Sequence, residues 1–164
     1  MIGINRYDRS PLKGCIADAD DFNDFLVNTV GANQNDIINL RDWEEESKNP
    51  PRGPATRANI IAKIQSFKNN GEIRKGDPIV IYFAGHGGQS PYLDWKATHP
   101  TSMIESICPV DIHKFPDDKG REPEVKGIPD FTLRALLNEL SREKGNNIVS
   151  GKIFTVLKTL LRKI

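Results

Sequence analysis

Asp77 to Gly88 reads DPIVIYFAGHGG. Ile79 to Phe83 is a continuous apolar run rich in β-branched and aromatic residues, and glycine-rich sequence follows at once. A strand reads this way when helices cover both of its faces, as at the centre of a parallel sheet. On the N-terminal side, Ile16, Ala19, Phe22, Phe25, Leu26 and Val30 recur three or four apart, which predicts a helix over 16–30 that Gly31 ends. Asp36 to Leu40 (DIINL) reads as a short strand, and residues 41–55, with Pro50, Pro51, Gly53 and Pro54, as a loop. Thr56 is an N-cap for a second helix with Ile60, Ile61, Ile64 and Phe67 on its buried face. Residues 85–130 read as a long irregular stretch with one extended segment near Glu105 to Val110. A third helix starts at Asp130 as N-cap, turns Leu133, Leu136, Leu137 and Leu140 inward, and closes at Gly145. Strands alternating with helices predict an α/β domain with a mainly parallel sheet and helices on both faces.

The composition excludes several classes. At 164 residues the chain suits one domain, which would bury ~70% of its unfolded surface. Hydrophobic residues make up 37% and charged residues 27%, which argues against disorder or a coiled coil. The formal charge of +1 provides no field favouring nucleic acid or an anionic membrane. No apolar run approaches the ~18 residues of a membrane span, and the first residues lack the pattern of a secretory signal. Two cysteines, Cys15 and Cys108, make neither a disulfide framework nor a CxxC pair, so a reducing, cytoplasmic setting is expected. The charge is unevenly spread: Lys152, Lys158, Arg162 and Lys163 make residues 151–164 a +4 tail without acids, and residues 1–150 sum to −3.

His86 carries the chemical interest. It follows the predicted central strand and is flanked by Gly85, Gly87 and Gly88. Open parallel sheets bind ligands beyond the carboxyl ends of their strands. Glycines there let a substrate approach the backbone and leave amides to bind an oxyanion, and histidine is suited to acid–base work. Taken alone, the residue also reads as a turn histidine without chemistry; its place after a buried strand favours the functional reading. An HGGG-type oxyanion segment of α/β-hydrolases resembles this stretch locally, but the chain contains no G-x-S-x-G elbow. His99 and His113 have no metal-ligand spacing and read as loop histidines.

A broader likeness covers residues 1–148. IGINRY (2–7), LKGCIADA (12–19), PATRANI (54–60), the central segment, ESICPVD (105–111) and GIPDFTLRALLNEL (127–140) occur in that order. The series resembles caspase-like cysteine peptidases, and most of all the metacaspase-type domains of fungi. The resemblance implies a caspase-like three-layer α/β domain and a hydrolase that cleaves peptides or proteins after Arg or Lys. By that resemblance His86 matches the catalytic histidine and Gly87 an oxyanion-hole amide. Cys15 and Asp18 match the primary specificity pocket, where an aspartate holds a basic side chain by a charge-assisted bond. Read without the resemblance, Asp18 is a first-turn acid favoured by the helix dipole. Asp111 falls where calcium-dependent relatives place one of several acidic ligands, but the companion acidic pair is present only as Asp130 followed by Phe131. Calcium takes ~6–8 oxygens, so these residues do not by themselves specify a metal site; the resemblance leaves calcium dependence open, and no other cofactor is implied.

The resemblance also places the nucleophile at the end of the next strand, in a segment like DCCHSG. That strand is expected to begin at Gly145 to Ile148 (GNNI), yet the chain continues VSGKIFTVLKTLLRKI, with no cysteine after Cys108. Cys15 matches the pocket, and Cys108 reads as a small packing residue. Met1 enters directly at IGIN, so the domain reads as short at both ends, with the central strand left unpaired on one edge. Residues 149–164 have helical periodicity in Ile153, Val156, Leu157, Leu160, Leu161 and Ile164. They read as a basic amphipathic helix for a membrane surface or acidic partner, as a helix packed on the core, or as translated intron. The last ranks first, because Val149-Ser150 can be encoded by the splice-donor hexamer GTGAGT. The expectation is a partial cysteine endopeptidase domain without its nucleophile; the alternative is a non-catalytic pseudopeptidase or regulatory peptide-binding module.

Overall fold

A computed structural model describes residues 1–8, 10–42, 52–91, 103–112 and 125–155. The expected central strand, β2, spans Ile79–Pro91, so it runs through the glycine-rich segment instead of stopping at Phe83. Before it come β1 (Ile2–Gly3), α1 (Cys15–Phe25) and α2 (Arg57–Asn69); after it come β3 (Met103–Ile107), β4 (Ile128–Pro129), α3 (Asp130–Lys144) and β5 (Ile148–Thr155). The first helix continues to Val30 as expected, but its last five residues, Leu26–Val30, wind as a wider π turn. Gly31, at φ 81°, ends it in the left-handed region that glycine occupies without strain. The predicted strand at 36–40 is reduced to one parallel bridge, Leu40 to Ile2. Asn33 caps a 3-10 turn over Gln34–Asp36 instead, accepting from the Asn35 amide at 3.0 Å. Thr56 caps α2 as predicted, accepting from the Asn59 amide at 3.3 Å. At α3 the N-cap is Pro129, and Asp130 is the first helical residue.

β2 pairs in parallel with β1 (Ile2 to Phe83) and with β5 along its first eight residues, from Ile79 opposite Ile148 to His86 opposite Thr155. From Gly87 onward it pairs antiparallel with β3, which in turn pairs with β4. The sheet is therefore parallel at its core and antiparallel in its extension. The strand period of two sends alternate β2 side chains to opposite faces. Tyr82 and Ala84 pack with Cys15 and Ala19 of α1, while Phe83 joins Ile60 and Ile64 of α2 and Leu133 and Leu136 of α3. Helices thus cover both faces and make three layers. Burying each such aliphatic or aromatic side chain is worth about 1.5–3 kcal/mol. Gly3 lets α1 approach: a Cβ there would lie 2.8 Å from the Cys15 carbonyl oxygen.

Beyond Ile148 the chain departs from its sequence-based reading. Residues 148–155 form a strand rather than part of a helix, so β2 is paired on this edge instead of open; residues 156–164 lie outside those described. The physical reason is that a parallel ladder uses backbone N–H and C=O groups, which any residue but proline supplies. The side chains fit less well. Ser150 is in register with Ile81, on the face of α2 and α3, and walls a cleft of about 380 Å³ lined by Ile64, Phe83, Leu133 and Leu137.

One buried charge pair ties α1 to the β1 side of the sheet. Arg41 is wholly buried and reaches the Asp20 carboxylate at 2.8 Å, the carbonyls of Met1 and Leu40 at 3.2 and 3.1 Å, and Asn39 Oδ1 at 3.2 Å. Removing one member of such a pair leaves a buried charge uncompensated. Asp20→Asn is expected to cost about 3–5 kcal/mol of stability in urea denaturation. Ser150→Ile, which puts an aliphatic group over the open cleft, is expected to gain about 0.5–2 kcal/mol and to raise the melting temperature.

Candidate active site

His86 stands where β2 changes partners. The strand's even-numbered residues turn their amide and carbonyl groups toward β1: Ala84 accepts from the Ile4 amide at 3.0 Å. The odd-numbered ones face β5, as Ile79 shows by donating to the Asn147 carbonyl at 2.9 Å. His86 continues the even series. Its carbonyl accepts from the Cys108 amide at 2.9 Å, next to β3, and its amide donates to the Tyr7 hydroxyl at 3.0 Å. That hydroxyl donates to the Cys108 carbonyl at 2.9 Å. Burial is the main cause that pushes the Tyr7 phenol above its ordinary range, so the hydroxyl keeps the proton it donates. The Tyr7 ring lies 4.5 Å from the imidazole, centroid to centroid, tilted 52°.

The imidazole itself is almost wholly buried, at 1% exposure, and its Nε2 lies 2.7 Å from the Ser10 carbonyl oxygen. A carbonyl only accepts, so Nε2 carries the hydrogen and Nδ1 is the basic nitrogen of the neutral ring. Because His86 and Cys108 form a hydrogen-bonded step, the next pair, Gly87 and Ile107, is a non-hydrogen-bonded one. The Gly87 amide therefore points away from β3, toward the edge where β5 ends at Thr155.

Cys15 and Asp18 lie on α1, which packs against β2. Cys15 is its first residue and is buried against Ala19, Tyr82 and Ala84. Gly14, at the N-cap, has no side chain to cap with; Asn5 Oδ1 serves from a distance, accepting from the Cys15 and Ile16 amides at 2.9 and 3.4 Å. Asp18 is exposed in the first turn. Burial, and secondarily the Asp18 charge, pushes the Tyr82 phenol upward, which ties Asp18 electrostatically to the buried strand. Cys108 is also buried, at the start of the turn that follows β3.

The acidic residues considered for calcium serve helix ends. Asp111 Oδ1 accepts from the Arg57 amide at 2.9 Å at the N-terminus of α2. Asp130 Oδ1 accepts from the Phe131 amide at 2.7 Å, and its other oxygen is 3.4 Å from Arg134. Carboxylates at helix N-termini are satisfied by free amides and the helix dipole. Among the described residues no three His, Cys, Asp or Glu side chains group as a metal site. His99 and His113 lie outside the described residues.

Sequence reasoning passed over Tyr7, Ser10 and Asn5. Tyr7 and Asn5 stand within IGINRY, a segment that resemblance had marked, but nothing in their spacing shows a hydroxyl or amide reaching across the fold.

Residues 1–130 match the family described as metacaspase, peptidase C14 domain. Metacaspase-1 of Saccharomyces cerevisiae is 34% identical over 132 residues, covering 78% of this chain and 29% of the yeast protein. Metacaspase-1 of Cryptococcus neoformans var. neoformans is 38% identical over 129 residues, covering 73% of this chain and 26% of that protein. The chain thus spans less than a third of the length of these relatives. A crystal structure of a Geobacter sulfurreducens protein shares the fold, with a TM-score of 0.59 at 21% identity, covering 94% of this chain and 48% of that one. With the motif order, the three-layer sheet and a family match over most of its length in agreement, the chain belongs to the metacaspase peptidase C14 domain family.

Proposed function

We propose that this is a cysteine-type endopeptidase domain that recognises a basic residue before the scissile bond, and that the 164-residue chain alone turns over no peptide. The observation that carries the acid–base part is the 2.7 Å contact from His86 Nε2 to the Ser10 carbonyl. With Nε2 so engaged, Nδ1 takes the proton of an attacking thiol and returns it to the leaving amine. The thiolate adds to the scissile carbonyl, and the Gly87 amide stabilises the oxyanion that forms. Asp18, exposed on α1, holds the substrate's Arg or Lys through a charge-assisted hydrogen bond. The protein acts on peptides or proteins, not nucleic acid, in a reducing cytoplasmic compartment.

The thiol itself is what the chain does not supply in this reading. Its two cysteines are buried, Cys15 against α1's own packing partners and Cys108 beside the His86 backbone. The strand position in register with His86 is Thr155. That placement of both cysteines favours a second reading as well, a non-catalytic module that binds basic peptides in the same pocket.

A fluorogenic Arg-peptide amide is expected to show no turnover with this chain. Turnover that His86→Ala abolishes would overturn the claim that the nucleophile is missing. Replacing the residues after Ile148 with a cysteine-bearing strand is expected to create His86-dependent hydrolysis; its absence in a folded protein sinks the peptidase reading in favour of the binding module. Asp18→Asn is expected to weaken binding of an Arg-containing peptide about tenfold in a fluorescence-anisotropy titration, in line with the strength of a charged hydrogen bond. Equal affinity for the two proteins removes Asp18 from the pocket.

A further inference from the structure

Tyr7 does something no ladder residue does: it stands in for a backbone hydrogen bond. At the step between His86 and Cys108, one of the two expected bonds is direct, Cys108 N–H to His86 C=O at 2.9 Å. The other, His86 N–H to Cys108 C=O, is replaced by a relay through the Tyr7 hydroxyl, with legs of 3.0 and 2.9 Å. The hydroxyl holds the His86 amide and the Cys108 carbonyl apart by its own width. A direct bond would close that gap and draw the His86 backbone toward β3, shifting the ring relative to the Ser10 carbonyl 2.7 Å from its Nε2.

Two further observations converge on the same device. The loop that carries Tyr7 also carries Ser10, whose amide donates to the Tyr7 carbonyl at 3.4 Å, so one loop grips the histidine at its backbone and at its ring. Gly85 makes room for the relay: a Cβ there would lie 2.7 Å from the Tyr7 hydroxyl oxygen, closer than real contacts allow. The tyrosine ring, 4.5 Å from the imidazole, walls one side of it.

We propose that Tyr7 is the positioning residue for His86, its hydroxyl splaying β2 from β3 at that step so that the ring keeps Nε2 on Ser10 and Nδ1 as the base. The proposal deepens the reading of His86 as the proton carrier and rests on it. Its test reads hydrogen-bond and tautomer states, which need no turnover, so it fails or holds independently of the substrate assays above.

In NMR spectra of the full chain at a pH where imidazoles are neutral, the Tyr7 hydroxyl proton is expected in slow exchange with a cross-peak to the His86 amide. The His86 ring is expected as the single Nε2–H tautomer. Tyr7→Phe keeps the ring and deletes the relay; the His86 amide is then expected to exchange about tenfold faster and the ring to lose its single tautomer. Gly85→Ala, which displaces the hydroxyl from the other side, is expected to do the same. A folded Tyr7→Phe protein with unchanged tautomer and amide exchange overturns the proposal, even if it melts at a lower temperature. Should neither variant fold, the wild-type spectrum decides: a fast-exchanging hydroxyl, or a mixed His86 tautomer, overturns it.

Discussion

Every layer of this domain depends on satisfying the backbone of β2 along both edges. Thirteen residues long, the strand is buried from Tyr82 to His86, where an unpaired amide or carbonyl costs about 1–3 kcal/mol. On one edge β5 serves the first eight residues. On the other, β1 serves Phe83 and Ala84 and β3 serves Gly87 to Pro91, and the two run in opposite directions. Neither ladder can supply the His86 amide at the change-over. A side-chain hydroxyl from the loop after β1 fills that gap at the histidine.

That geometry explains why a buried polar site is stable there. Glycines at 85, 87 and 88 lower the steric bulk around the histidine, at the cost of strand stability, and the loop restores order with hydrogen bonds. Asn5 extends the same logic to α1, accepting from the first amides of a helix that begins after a glycine. Asn5, Tyr7 and Ser10 thus form a small polar clamp on both the helix and the strand that frame the site.

Much of the fold and part of the site were legible in the residues. The apolar run at 79–83, the spacing on three helices, and the caps at Thr56 and Gly31 are local patterns with local causes, and they appear where periodicity puts them. His86 and Gly87 were marked by their place after a buried strand. Tyr7 and Ser10 were not, because their contacts span 79 and 76 residues of sequence and no spacing rule reaches that far. Asp111 shows the converse limit: resemblance marks the carboxylate, but only folding brings its Oδ1 to the Arg57 amide at the start of α2.

The sequence by itself determined a three-layer α/β domain and the strand that organises it, because side-chain periodicity records which faces are buried. It determined too that only two thiols are present and where resemblance places them. Tertiary structure alone decided which nitrogen of His86 is basic, since that follows from a carbonyl brought close by folding. It also decided the state of residues 149–155, whose side chains read as a helix while their backbone completes the open edge of β2. Side-chain pattern is written residue by residue; hydrogen-bond partners exist only once distant segments meet.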